Sequence, residues 1–218
     1  MQIHIIADFV CPWCYIGKRQ FEHALAQRED LVPQVHWLPF QLNPDMPEDG
    51  ADREEYLSGK FGEEGMLQMD QKLKAYAEQL GLDLRLDRVA RIPNTLAAHT
   101  LVLWAEESGV QHEVVDALFR ANFVDGADIG DTDTLCRIAE EAGMDPEIIR
   151  TRLETGEDQD KVIEEDKMLR QMGVDAVPTT IVERKFVVSG AGGAEAFLEA
   201  FERAEQEQEQ KELDEGED

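Results

Sequence analysis

The chain is short of cysteine, short of basic residues and free of long apolar runs. Three cysteines in 218 residues cannot build the disulfide framework of a small secreted scaffold, so their role must be local. With 21 basic against 48 acidic residues, the formal charge of −27 repels phosphate backbones and anionic lipid surfaces and argues against general nucleic-acid binding. No stretch reaches the roughly 18 to 20 uncharged apolar residues that a membrane span needs. The N-terminus enters a strand without a basic segment followed by an apolar one. The chain therefore reads as soluble and cytoplasmic, with no membrane or nucleic-acid partner, and it carries no signature of an oligomeric state. Its acidity fits either an ordinary acidic protein or one kept soluble in high salt, where self-repulsion is screened within a few ångströms.

What is present is enough apolar content, 42%, to bury on the order of 70% of the surface the unfolded chain exposes. Ile3-His4-Ile5-Ile6-Ala7 reads as a buried strand, and Val35-His36-Trp37-Leu38-Pro39-Phe40 as a second that ends at Pro39 or runs at an edge. A helix over Pro12 to Arg28 joins them, a pattern that predicts a parallel crossover. From Asn43 to about Met172 the pattern is almost wholly helical, punctuated by glycine and proline. Within it, Asp133 or Thr132 is expected to cap one helix, and Asp145 with Pro146 to open another. Strands return at 179–182 and 186–188 through a hairpin at Glu183-Arg184-Lys185, followed by a last helix from Ala194. The expected organisation is a discontinuous domain of residues 1–44 and 173–204, an inserted helical domain of 45–172 including the return helix, and an acidic disordered tail from 205 to 218.

Two of the cysteines form Cys11-Pro12-Trp13-Cys14 at the strand-to-helix turn. Only a thiolate attacks a disulfide, and a cysteine at a helix N-cap meets the positive end of the helix dipole. Pro12 suits the first helical position, and the N–H groups of Trp13 and Cys14 can point at the Cys11 sulfur. Cys14 sits about one turn further on, close enough to close a small disulfide and more enclosed, which suits a resolving thiol. Cys136 falls near an apolar helical face and reads as a buried inert thiol. His4, His23, His36 and His112 show no paired spacing, so no metal site is expected.

Four separated segments carry a family resemblance. Asp8-Phe9-Val10-Cys11-Pro12-Trp13-Cys14-Tyr15-Ile16-Gly17-Lys18, Pro39-Phe40-Gln41-Leu42-Asn43-Pro44, Arg91-Ile92-Pro93-Asn94-Thr95 with His99, and Gly173-Val174-Asp175-Ala176-Val177-Pro178-Thr179 resemble the FrnE-like branch of the DsbA-family thiol–disulfide oxidoreductases, over about residues 2–202. The resemblance implies an α/β thioredoxin-like fold with a large helical insert. It also implies a cis Pro178 facing the cysteine pair, with the Val177 backbone free to pair with an extended substrate. Some relatives carry a second cysteine pair toward the C-terminus; this chain has none, so an internal relay between two disulfides is not available.

The reading that follows is disulfide exchange with protein or low-molecular-weight thiols, Cys11 attacking and Cys14 resolving. It requires no cofactor beyond the redox-active pair, with glutathione a candidate co-substrate. Pro12 and Trp13 bring no cationic side chain between the cysteines, which points to less thiolate stabilisation and a less oxidising couple; a shift of about 30 mV moves a two-electron equilibrium tenfold, so the direction of electron flow stays open. Trp13 is expected at the rim of the site. Asp8 is a candidate to take or deliver the Cys14 proton through water, with a capping carboxylate as the alternative. Asn94 and His99 match the family pattern and are candidates to face the cleft, with a packed helix histidine as the alternative for His99. Two other functions compete: a glutathione-dependent isomerase or transferase, which Cys14 argues against, and a holdase-like chaperone with an apolar groove beside the motif.

Overall fold

The computed structural model describes residues 1–215. Strand β1, Gln2–Ala7, buries Ile3, Ile5, Ile6 and Ala7, which is possible only for a strand flanked on both sides. It pairs in parallel with β2, Gln34–Pro39, and antiparallel with β5, Thr179–Val182. Strand β6, Phe186–Ser189, completes a sheet of order β2-β1-β5-β6. Strand β2 both ends at Pro39 and lies at an edge, where the missing proline N–H costs no ladder bond. The β5–β6 hairpin turns through Glu183 and Arg184 at φ 50 and 57, the two left-handed positions that match the right-handed twist of the strands.

Helix α1, Pro12–Leu25, is N-capped by Cys11 and stops short of the expected Arg28. Its buried face includes Ile16, Phe21 and Ala24. Phe21 meets Phe197 and Phe201 edge-on at 5.6 and 6.2 Å, clamping α1 to the last helix, α9, Ala194–Glu215. Full burial of each such ring is worth about 1.5–3 kcal/mol.

The middle of the chain carries α2 (Arg53–Phe61) and α3 (Glu63–Gln79), then α4 (Leu96–Glu107) and α5 (Gln111–Arg120). Helices α6 (Thr132–Glu141), α7 (Pro146–Thr155) and α8 (Gln159–Gln171) follow. It is not wholly helical: β3, Ala51–Asp52, pairs with β4, Arg91–Ile92. Two-residue strands offer no periodicity to read. The cap of α6 is Asp131, whose carboxylate accepts from the Thr134 N–H, one residue earlier than Thr132. Asp145 caps α7 as its sequence predicts, accepting from the N–H groups of Glu147 and Ile148.

One apolar core runs through both parts of the chain, joining Ile3, Phe9 and Ile16 to Trp104, Phe119 and Ile138. The helical segment therefore shares its core with the sheet. The tail expected to be disordered from 205 instead continues α9 through Glu215. Glu205 bonds Arg28 at 2.6 Å and Glu207 bonds Lys185 at 2.6 Å, tethers that composition alone does not reveal. The same expectation for 216–218 lies outside the described residues.

Candidate active site

Cys11 is the N-cap residue of α1 at φ −91, ψ 108, and Pro12 occupies the first helical position. The first-turn N–H groups do not bond the sulfur: Cys14 N–H donates to the Cys11 carbonyl at 3.0 Å. The Cys11 thiol instead donates to the carbonyl oxygen of Val177 at 3.8 Å. A protonated thiol needs an acceptor, and the expected N–H geometry serves an anion. Ionisation removes the bridging proton and leaves the sulfur at the positive end of α1.

Cys14 is 1% exposed and, unlike Cys11, does not line the neighbouring cleft. Burial pushes its thiol well above the ordinary cysteine range, with Cys11 and the Asp8 carboxylate acting in the same direction and the Asp8 backbone N–H opposing them. All three cysteines carry free thiols. Cys136 is buried on α6, outside the cleft, and burial raises its thiol too, with Arg150 opposing.

The Val177–Pro178 bond is cis. Pro178 sits against α1 at Gly17, where an added Cβ would lie 2.9 Å from the Pro178 Cγ. A side chain at position 17 would thus displace the proline from the cysteine turn. The structure brings Cys11, Cys14, Val177 and Pro178 together from the two ends of the chain.

A cleft of about 270 Å³ opens beside Cys11. Pro12 and Trp13 form one wall, Trp13 standing edge-on to Tyr76 at 5.6 Å. Opposite, Leu57 and Phe61 line it from α2, a helix with no buried residue. Phe61 is 49% exposed. Lys60 stands over the Tyr56 and Phe61 rings at 5.5 and 5.7 Å and has no carboxylate partner among the described residues. Arg53, by contrast, is tied to Asp70 at 2.6 Å. At the back, a π-helical turn, Ala121–Asp125, presents Asn122, whose Nδ2 donates to the Phe9 carbonyl at 2.9 Å.

Asp8 is fully buried. Its Oδ2 accepts from the Leu42 N–H at 2.7 Å, and its Oδ1 lies 3.5 Å from His99 Nε2. Asp8 Oδ1 and His99 Nε2 are both buried and without a hydrogen-bond partner. His99 is thus neither in the cleft nor a satisfied helix histidine. Asn94 does not line the cleft either: its Nδ2 donates to the Met46 carbonyl and its Oδ1 accepts from the Leu96 N–H. It ties the start of α4 to the 40s loop. Gly17, Lys60 and Asn122 escape residue-by-residue reading, although a glycine within the first turns of an otherwise apolar helix marks a close approach. Among the described residues no group of three His, Cys, Asp or Glu side chains is placed to hold a metal.

A family model for the DSBA-like thioredoxin domain matches residues 2–202. The chain belongs to this family. The DSBA-like chain is 31% identical over 202 residues to the uncharacterized protein YwbO of Bacillus subtilis (strain 168), covering 92% of this chain and 96% of that one. It is also similar to the crystal structure of a probable DsbA oxidoreductase from Streptomyces coelicolor, at 33% identity and a TM-score of 0.86, covering 95% and 91% of the two chains. The cytosolic disulfide reductase DsbM from Pseudomonas aeruginosa, with GSH, shares the fold at 17% identity and a TM-score of 0.64, covering 97% and 100%. The fold of this chain is thus the DsbA-like thioredoxin fold, a mixed four-stranded sheet with an extensive helical segment.

Proposed function

We propose that this DSBA-like protein is a thiol–disulfide oxidoreductase acting through Cys11 and Cys14 on protein or low-molecular-weight disulfides. The observation that carries the reading is the asymmetry of the pair: Cys11 lies at a helix start on the edge of an apolar cleft, and Cys14 lies behind it, buried and protonated. In the reducing direction the Cys11 thiolate attacks a substrate disulfide, forming a mixed disulfide and releasing one substrate thiolate. Cys14 then attacks the Cys11 sulfur, closing the Cys11–Cys14 disulfide and releasing the second. Two electrons from an external dithiol, or from two small thiols, restore the starting state.

The fold shared with a cytosolic disulfide reductase supports the reducing direction in the cytoplasm. No helix among the described residues is long and apolar enough to cross a membrane. Pro178 and the Val177 carbonyl are the surfaces an extended substrate would meet after Cys11, and Trp13 and Pro12 the rim. Glutathione as a co-substrate is favoured by Lys60, the cation at the cleft without a carboxylate partner among the described residues, which suits a thiol carrying carboxylates. The isomerase or transferase alternative keeps the same cleft but gives the buried Cys14 no task. Reduction of insulin disulfides by wild type and Cys11→Ser tests the reading: turnover is expected only from wild type, and equal turnover would sink it.

A further inference from the structure

We propose that His99 and Glu165 form a proton exit behind the cysteine pair, carrying the Cys14 proton from Asp8 to solvent through a cavity separate from the substrate cleft. The proposal rests on the thiol–disulfide reading of Cys11 and Cys14. Cys14 must lose a proton before it can resolve a mixed disulfide, and at 1% exposure it has no solvent of its own. Asp8, whose backbone carbonyl accepts from the Cys11 N–H at 3.1 Å and whose charge acts on Cys14, is equally cut off.

Asp8 Oδ1 and His99 Nε2 face one another at 3.5 Å, and neither has a hydrogen-bond partner. An unsatisfied buried polar atom costs about 1–3 kcal/mol, and two side by side call for an explanation. A proton arriving on either group satisfies both once the gap closes by a few tenths of an ångström to ordinary hydrogen-bond length. The pair is therefore arranged to gain a bond when Asp8 takes up a proton.

Beyond His99 the path continues. His99 lines a small cavity of about 10 Å³, roughly the space one water needs. The other titratable residues lining it are Glu165 of α8 and Glu106 of α4. Glu165 is half-buried, and burial and the Glu106 charge raise its carboxyl while His99 opposes them. Glu106, 40% exposed, meets His36 Nδ1 of β2 at 2.6 Å and marks the outlet. Next to Leu42, whose N–H bonds Asp8, the Gln41 backbone engages Asp166 and Arg170, which are paired with each other. No residue of this cavity also lines the cleft beside Cys11.

The resolving step then balances. Cys14–SH gives its proton to the Asp8 carboxylate, and the Cys14 thiolate attacks the Cys11 sulfur. The Cys11–Cys14 bond forms, and the bond from Cys11 to the substrate sulfur breaks, its electron pair leaving on the substrate thiolate. The proton on Asp8 moves through His99 and Glu165 to water. His99 acts through Asp8 and touches no reacting atom, so it is a positioning and proton-passing residue.

The test mixes reduced protein rapidly with excess 5,5′-dithiobis(2-nitrobenzoate) and follows two releases of the coloured thiolate, the first from attack by Cys11 and the second from resolution by Cys14. In His99→Gln the second phase is expected to slow about tenfold or more between about pH 6 and 8. Glu165→Gln is expected to slow the same phase at the acid end of that range, and the exposed Glu164→Gln on the same helix to leave it unchanged. A purely structural role would slow both phases together. Second-phase rates and pH profiles in His99→Gln and Glu165→Gln within about twofold of wild type, or an equal loss in both phases, overturn the proposal; if His99→Gln does not fold, Glu165→Gln decides alone. Absence of any Cys11 adduct in wild type would refute the exchange reading itself, an outcome distinct from failure of the relay.

Discussion

The Cys11 thiol donates to the carbonyl of Val177 at 3.8 Å, joining two residues 166 positions apart. That contact ties the attacking sulfur to the backbone beside Pro178, so the reacting atom and the strand that would receive a substrate are positioned together. The packing behind the contact can be tested at the next turn of α1.

Gly17→Ala places a Cβ 2.9 Å from the Pro178 Cγ and 3.4 Å from the Ala191 Cα. Neither neighbour is a flexible side-chain end, so the loss of stability should be about 1–3 kcal/mol by equilibrium denaturation. Gly59→Ala in α2, where an added Cβ meets nothing within 4 Å, is the contrast: it should stabilise the protein by about 0.5–1 kcal/mol.

Stability of the reduced protein should fall as pH rises into the alkaline range. The folded state holds the Cys14 proton well above the ordinary cysteine range and pushes Tyr15 up to about 12 by burial, Asp116 and Glu22. The unfolded chain releases these protons earlier, from about pH 8.5 for cysteine and about 10 for tyrosine, so it binds fewer protons over that window and stability declines. Urea titrations across the window should show a shallower decline in Cys14→Ala. An identical decline in wild type and variant would remove Cys14 as its source.

Lys60→Glu reverses the cleft charge that has no carboxylate partner among the described residues. The KM for an anionic aromatic disulfide should rise several-fold, on the order of 1 kcal/mol in binding, while that for an uncharged disulfide changes little. Steady-state kinetics at two ionic strengths separates the two, since added salt should erase the difference.

Salt should also stabilise the whole molecule. A formal charge of −27 repels itself, and raising ionic strength from about 0.1 to 1 M shortens the screening length from about 10 to 3 Å. The melting temperature is expected to climb over that range in potassium chloride. A flat or falling curve would mean that the surface ion pairs, such as Arg28–Glu205 and Lys185–Glu207, outweigh the net repulsion.

Much of the fold was legible because its signals are local. The apolar run of β1, the alternation in β2, and the proline and cysteine at the start of α1 each declare themselves within a few residues, and they place Cys11 at the cap and Cys14 in the first turn. The partnership of α1 with the Val177–Pro178 turn was legible only through the family resemblance, because nothing local connects them. The Asp8–His99 pair was not legible as a pair: each residue could be singled out, but their meeting at 3.5 Å depends on the tertiary placement of α4 beside the turn that follows β1. The β3–β4 pairing and the π-helical turn that presents Asn122 depend on tertiary packing alone. The helical course of α9 beyond 205 follows from tethers to Arg28 and Lys185 that lie far away in sequence.

The division of labour between the two cysteines is tested most directly by mass analysis of Cys14→Ala after incubation with a protein disulfide. With the resolving thiol gone, the account predicts a stable mixed disulfide at Cys11, none in Cys11→Ser, and only a transient one in wild type. A mixed disulfide at Cys136, or none at Cys11, would contradict it.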